Sequence, residues 1–442
     1  MTGDCASRPG ASPGPTTREL RGAKGVVQNG YPLFFHTKPE TRCCFPTSVC
    51  NRKRRGSGRP GVVEFAARAG RRNAAGEINA GLVGCGGRGS LIGSLFKEHG
   101  GFELFAVADY FQPVADALGE KLGVDKSRRF SGLSGYQKLI NTGVEVVILE
   151  DIPWFMPDQA EAAAKAGCHV YMAKPVAVDV PGALQVEAAA RIASEKRRCF
   201  FVDYQIPTDP SNQEVVKRVR EGAVGKIAQL ATFGLCTGFS DPPKTANLES
   251  RLQKLIWVND IELGCDYLGN FDIHALDAAL WVMGERPVAA TGSSQVARVD
   301  AHGNAHGVCS VIYDYADGTV HNHFGQALPD ITAGVLDCHV YGTTGNAVIS
   351  YWAEAFLHGN HPQDYRGQVK NLYQDGIIRN IATFYENVTG GRFENPTVRR
   401  AVDGVLTSVL GRVAASRRVR LSLDELLKES ERLEVDLTGL KT

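Results

Sequence analysis

The chain has 442 residues, 43% hydrophobic and 22% charged, with a net charge of +1. That is enough apolar material for two cores and too little charge for a polyanion partner. The balance is uneven, because residues 1–76 carry 14 Lys and Arg against 4 Asp and Glu, which leaves the rest of the chain at −9. The acidic body argues against nucleic-acid binding, and the absence of a long apolar run argues against a membrane span. The 11 cysteines form no C-x-x-C pair, so buried free thiols in a reducing, cytoplasmic compartment are expected.

Residues 1–76 are rich in Pro, Gly, Ser and Arg, include the run Arg52-Lys53-Arg54-Arg55, and show no sustained periodicity. They read as a disordered extension. An export signal fits less well, since Glu64 and Arg68 interrupt the short apolar segment that follows the arginines. The next stretch organises the chain. Ile78 to Val83 is a short apolar strand that runs into Gly84-Cys85-Gly86-Gly87-Arg88-Gly89, a G-x-G-x-x-G pattern. A helix follows with Leu91, Ile92, Leu95 and Phe96 on one face, and then a second strand, Phe102 to Ala108, ends at Asp109.

Each position in this unit has a mechanical reason. Gly84 suits a tight turn, Gly86 lets backbone amides approach a pyrophosphate, and Gly89 allows close helix packing. The helix N-terminus favours phosphate, and Asp109 stands where an adenosine ribose would be bound. The glycines alone are weak evidence in a chain with 49 of them; the strand, helix, second strand and acid around them make the dinucleotide reading strong. No basic residue adjoins Asp109, which favours NAD. Arg88 keeps NADP open as a 2′-phosphate partner.

Further elements follow in order. Helices are predicted near Pro113 to Leu122, Tyr136 to Asn141, Asp158 to Ala166 and Pro181 to Glu195; strands at Arg129-Phe130, Val144 to Leu149, His169 to Met172 and Cys199 to Asp203. The alternation implies a doubly wound parallel sheet over residues 77–204. Beyond it, a helix near Gln213 to Glu221 precedes strands near Ala228 to Cys236, Val288 to Val296, Val308 to Tyr315, Val320 to Gln326 and Val335 to Tyr341. Turns such as Asp317-Gly318 and Gly345-Asn346 suggest an antiparallel or mixed open sheet. One helix, Asp272 to Met283, interrupts it, and Ile378 to Val388, Thr397 to Ala414 and Leu423 to Leu433 are helical. Residues 205–442 therefore read as an α+β domain.

Lys174 follows a parallel strand directly, where open α/β sheets bind ligands, and it can polarise a substrate oxygen. His274 lies in the embedded helix and can move a proton near neutral pH. If that helix reaches back to Asn270, then Asn270, His274, Asp277 and Trp281 share a face, and Asp272 or Asp277 can orient the imidazole. His302 and His306 read as part of a solvated hairpin turn, and His321 and His323 alternate on a strand; a metal site is the lesser reading. No acyl-transfer or P-loop motif is present.

Gly84 to Gly89, Ala173-Lys174-Pro175 and the helix with His274, Asp277, Trp281 and Gly284 together resemble the glucose–fructose oxidoreductase, inositol dehydrogenase and MocA family. The resemblance spans about residues 77–442. It implies an NAD(P)-binding Rossmann domain, oxidation of a sugar, cyclitol or related polyol hydroxyl, and a homodimer or homotetramer joined through the second domain's sheet. Lys174 corresponds to the family's lysine, touching substrate and nicotinamide ribose, and His274 to its acid/base. The loop at Pro153 would contact the cofactor; Asn270, Asp272, Asp277 and Gln205 would line the substrate. The chain departs from the family at Ala173, where a glutamate is usual, at Asn270 for aspartate, at Met156-Pro157 where a histidine is frequent, and at Gln205 near a frequent arginine. Two rivals remain: glycoside cleavage through transient oxidation with NAD not consumed, and a non-catalytic dinucleotide-binding regulator.

Overall fold

The computed structural model describes residues 77–328, 334–359, 362 and 364–442. The expectations for residues 1–76 fall outside them. The first layer is a six-stranded parallel sheet of β1 (Ile78–Val83), β2 (Phe102–Asp109), β3 (Arg129–Ser131), β4 (Val146–Leu149), β5 (His169–Ala173) and β6 (Phe200–Asp203). Its spatial order is β3-β2-β1-β4-β5-β6. The order reverses beside β1, so the mouths of β1 and β4 open into one crevice at the strands' C-terminal ends. β4, β5 and β6 are buried along their whole length, as strands covered on both faces must be. Helices α1 (Gly87–His99), α2 (Gln112–Leu122), α3 (Gly135–Ile140), α4 (Met156–Ala166) and α5 (Val180–Glu195) cover the faces.

After α6 (Pro210–Arg220) the second sheet has nine strands: β7 (Ile227–Cys236), β8 (Ala289–Gln295), β9 (Val308–Asp314), β10 (Val320–Ala327), β11 (Val335–Gly342), β12 (Asn346–Ser350), β13 (Glu354–His358), β14 (Tyr365–Gln368) and β15 (Leu421–Ser422). The order is β14-β13-β12-β11-β7-β10-β9-β8-β15. β7 and β10 pair in parallel; the other neighbours are antiparallel. Sequence periodicity missed β12 to β15, each too short, at two to five residues, for a period of two to stand out.

Two short helices, α7 (Ile261–Gly264) and α8 (Asp266–Asn270), lead into α9 (Ile273–Met283). Nine of its eleven residues are buried, because the sheet lies on one side and α11 (Pro396–Arg417) on the other; a helix apolar all round has to be enclosed. The C-terminal helices do not stay with the second sheet. α10 (Leu372–Gly390) places Ile377, Ile381 and Phe384 in the same apolar cluster as Phe96, Phe102, Tyr171 and Phe201 of the parallel layer, and α11 shares a cluster with Val170, Met172 and Val202. Residue 205 thus marks a change of sheet, but the chain returns to the first layer. The last helix is α12 (Leu423–Glu429), shorter than its apolar pattern suggested because Ser430 turns left-handed with φ 44°. All seven described cysteines are free and buried, and no described helix is long and apolar enough to cross a membrane.

Candidate active site

Between β1 and α1 the backbone itself shapes the site. Gly84 has φ +88°, and a Cβ there would stand 2.4 Å from the Glu150 carbonyl oxygen; a Cβ on Gly89 would stand 1.8 Å from that of Gly84. Gly86 and Gly87 are exposed, with nothing within 4 Å of an added Cβ. This leaves an open ledge at a helix N-terminus, where a phosphate can come close to the amides. Asp109 closes the adjoining turn: its Oδ2 accepts from the Cys85 amide and its Oδ1 from the Phe111 amide, both at 2.9 Å. Each oxygen keeps a lone pair for a ribose hydroxyl. Burial raises the Asp109 pKa, against the lowering by those amides. A cavity opens beside it, walled by Val83, Tyr110, Leu133, Ile152 and Leu252. Pro153 is buried in the turn after β4 that leads to α4. The open ledge and the cavity next to Asp109 fit a dinucleotide.

Arg88 turns the other way. Its Nε lies 3.0 Å from Glu150 Oε2, its Nη2 donates to Asp203, and its guanidinium sits 5.5 Å over the Tyr373 ring. The side chain therefore ties α1 to the ends of β4 and β6 and is not placed to meet a 2′-phosphate, which removes the reason for keeping NADP open. Burial opposes its charge, but Glu150 and Asp203 more than offset that and raise its pKa. Asp203, fully buried, also accepts from Asn380 Nδ2 at 2.6 Å.

Lys174 follows β5, and its Nζ donates to the Asn270 carbonyl at 2.6 Å. Burial and the nearby Arg88 charge push the amine down to about 7; Asp203, Glu150 and Asp272 counteract this only in part. His274 lies within the same field. Its pKa is pushed well below the usual value by burial, Lys174 and Arg88, in that order, so the ring is neutral. Its centroid is 5.0 Å from that of Tyr351 and 6.1 Å from Tyr204, and its Nδ1 has no partner among the described residues. Gln205, fully buried, accepts from the Tyr351 hydroxyl at 3.2 Å.

Three expected roles change. Asn270 ends α8, and Phe271 and Asp272 separate it from α9, so the shared helical face does not exist and Asn270 meets Lys174 through its main chain. Asp272 reaches into the second sheet instead of toward substrate. Its carboxylate fits where paired Gly234 and Gly325 lack side chains, and its Oδ2 is 3.0 Å from His323 Nε2. From there Thr232 Oγ1 links His323 Nδ1, at 2.9 Å, to His321 Nε2, at 2.7 Å. Burial raises Asp272 to about 6, against the opposing His323 bond. Asp272, Cys309 and His323 hold ligand-type atoms within 4.8 Å of one another, although the acid and imidazole already bond directly. Asp277 does not orient His274, since its Oδ1 accepts from Arg400 Nε at 2.5 Å.

Glu150, Asp203 and Tyr351 escaped sequence reasoning. The first two close buried parallel strands, the same positional rule that singled out Lys174; nothing local marked Tyr351.

Residues 78–204 match the family described as "Oxidoreductase family, NAD-binding Rossmann fold". Inositol 2-dehydrogenase of Rhizobium meliloti (strain 1021) is 24% identical over 243 residues, 54% of this chain and 66% of that protein. Levoglucosan dehydrogenase of Pseudarthrobacter phenanthrenivorans is 26% identical over 212 residues, 47% and 52% of the two chains. The chain thus aligns with two thirds or less of these curated relatives. An inositol dehydrogenase homolog from Azotobacter vinelandii, solved with NAD+, shares the fold at a TM-score of 0.66 and 18% identity, covering 79% of this chain and 98% of its own.

Proposed function

We propose that this chain, whose residues 78–204 match the oxidoreductase family with an NAD-binding Rossmann fold, is an NAD-dependent dehydrogenase of a sugar, cyclitol or related polyol hydroxyl. The observation that carries this reading is the bond from the Lys174 amine to the Asn270 carbonyl, which ties β5 to the segment that leads into His274, with both groups in the field of Arg88, the second residue of the helix that starts at the ledge. Bound NAD supplies the hydride acceptor. The ledge and Asp109 hold it, and Lys174 and His274 face the substrate carbon. With a pKa of about 7, Lys174 is matched to take the hydroxyl proton at physiological pH. His274, whose proton affinity is lowered chiefly by burial, positions the hydroxyl by hydrogen bonding. This differs from the division of labour expected from the sequence, and the leading cause is burial of the imidazole.

The test is NADH formation over a panel of cyclitols and sugars at pH 5 to 9. Only the unprotonated amine accepts the proton, so kcat/KM rises with pH through about 7 and then levels. Lys174→Ala lowers kcat by roughly 10² to 10⁴ and abolishes that inflection. Undiminished turnover in both Lys174→Ala and His274→Ala would remove the assigned roles. An aryl glycoside cleaved with NAD required but not consumed would replace net oxidation by transient oxidation. The reading extends to a homodimer or homotetramer: the outer face of the second sheet exposes Ile312, Val320, Phe324 and Tyr341, each near 40%. Such a patch supports self-association, and light scattering that gives a monomer mass would dismiss it.

A further inference from the structure

Beyond α12 the chain doubles back across the cofactor side of the molecule. The Leu433 backbone is clamped at both polar groups: its amide donates to Asp179 Oδ2 and its carbonyl accepts from Trp154 Nε1, each at 2.8 Å. A second clamp lies at Lys441. Its carbonyl accepts from the Leu133 amide at 2.9 Å, its amide donates to the Tyr110 hydroxyl at 3.1 Å, and its Nζ is 3.4 Å from Glu249. Glu249 also accepts from Tyr110 at 3.2 Å. Between the clamps, Val435 and Leu440 join the apolar cluster around Ile152 and Leu252. Tyr110, Leu133, Ile152 and Leu252 are walls of the cavity beside Asp109.

The adenosine end of the site is thus completed by two pieces remote in sequence, the loop at 248–252 and the tail. No residue from 430 to 442 is buried. The tail is held by a few end bonds and by four half-buried side chains, Leu433, Val435, Leu437 and Leu440, the profile of a segment that opens locally without global unfolding. We propose that residues 433–441 form a strap over the adenosine subsite, and that its lifting, not hydride transfer, limits turnover by gating exit of the reduced cofactor. The inference rests on the NAD-binding reading above.

Release of NADH from the full chain, chased with excess NAD and followed by fluorescence without substrate, measures the gate directly. Two variants separate gating from misfolding: a chain ending after Glu431, and Trp154→Phe combined with Leu440→Ser, which removes one bond of the first clamp and one apolar anchor between the clamps while leaving the cavity wall intact. Release should quicken about tenfold or more in the first and about threefold in the second. The deuterium isotope effect on kcat should then rise from near unity as hydride transfer becomes limiting. Unchanged release in a folded variant overturns the strap, and so does faster release with no rise in the isotope effect. If even the unaltered protein binds no NADH, the NAD reading itself fails.

Discussion

At the adenosine end, the site is made by backbone: a left-handed turn at Gly84, an open ledge at Gly86 and Gly87, and a carboxylate tied to two amides. At the proposed reacting end it is made by side chains at the ends of β4, β5 and β6 and on α1 and α9, namely Glu150, Lys174, Asp203, Arg88 and His274. The first end depends on what is missing from a few positions; the second depends on charge balance among groups far apart in sequence. Small steric changes should therefore be ruinous at one end, and charge changes should act at the other through stability and pKa.

The sharpest way to break this comparison is at Gly89, where even one methyl group meets backbone. Gly89→Val places its Cβ 1.8 Å from the Gly84 carbonyl, so turn and helix must part, costing about 3 kcal/mol or more. Thermal unfolding should drop, and calorimetry should register no NAD binding. Gly86→Ala fails differently, since nothing in the protein meets its Cβ. Its melting temperature should stay at the wild-type value while NAD affinity falls, because the methyl group occupies the ledge. Equal losses of stability in the two variants would erase the distinction between a structural glycine and a ligand-facing one.

Next in size is the ionic cluster. Asp203→Ala removes one of two carboxylates from a guanidinium that is 24% exposed and keeps Glu150, so the loss of a fully buried acceptor should cost about 2 kcal/mol. Chemical denaturation reads this. The same change removes an acid that holds the Lys174 pKa up, so the inflection in kcat/KM should move to lower pH. A shift to higher pH would show that Asp203 does not act on the amine.

Sequence reading reached the parallel layer nearly intact because its rules are local. The turn, helix, strand and acid lie between Ile78 and Asp109, and α/β alternation placed all six strands to within a residue or two. The second domain resisted because its decisive features are tertiary. Nothing at Phe271-Asp272 is a strong helix breaker. The α8–α9 junction falls at the residue whose carboxylate lies between Gly234 and Gly325 and meets His323, 51 residues away. Position and the family resemblance single out Lys174 and His274 as candidates, whereas their altered proton affinities come from burial and from Arg88, which no local pattern shows. Glu150 and Asp203 stand at the ends of buried parallel strands just as Lys174 does, and their partner Arg88 is remote from both in sequence.

Asp277 provides the smallest expected effect and a clean discrimination. Its place one turn after His274 suggests a carboxylate that steadies the imidazole, whereas the structure commits Oδ1 to Arg400, 123 residues away on α11. Asp277→Asn keeps an oxygen for Arg400 and loses the charge. Stability should fall by about 1 kcal/mol, since Arg400 is partly exposed and water can share its charge. The rate of polyol oxidation should stay within about threefold of wild type, because the residue contacts neither the reacting atoms nor His274. The pH profile should keep its inflection, as Asp277 is not among the groups that shift Lys174. A rate loss comparable to that of His274→Ala, with stability unchanged, would return Asp277 to the catalytic machinery and place His274 in a different hydrogen-bonded setting.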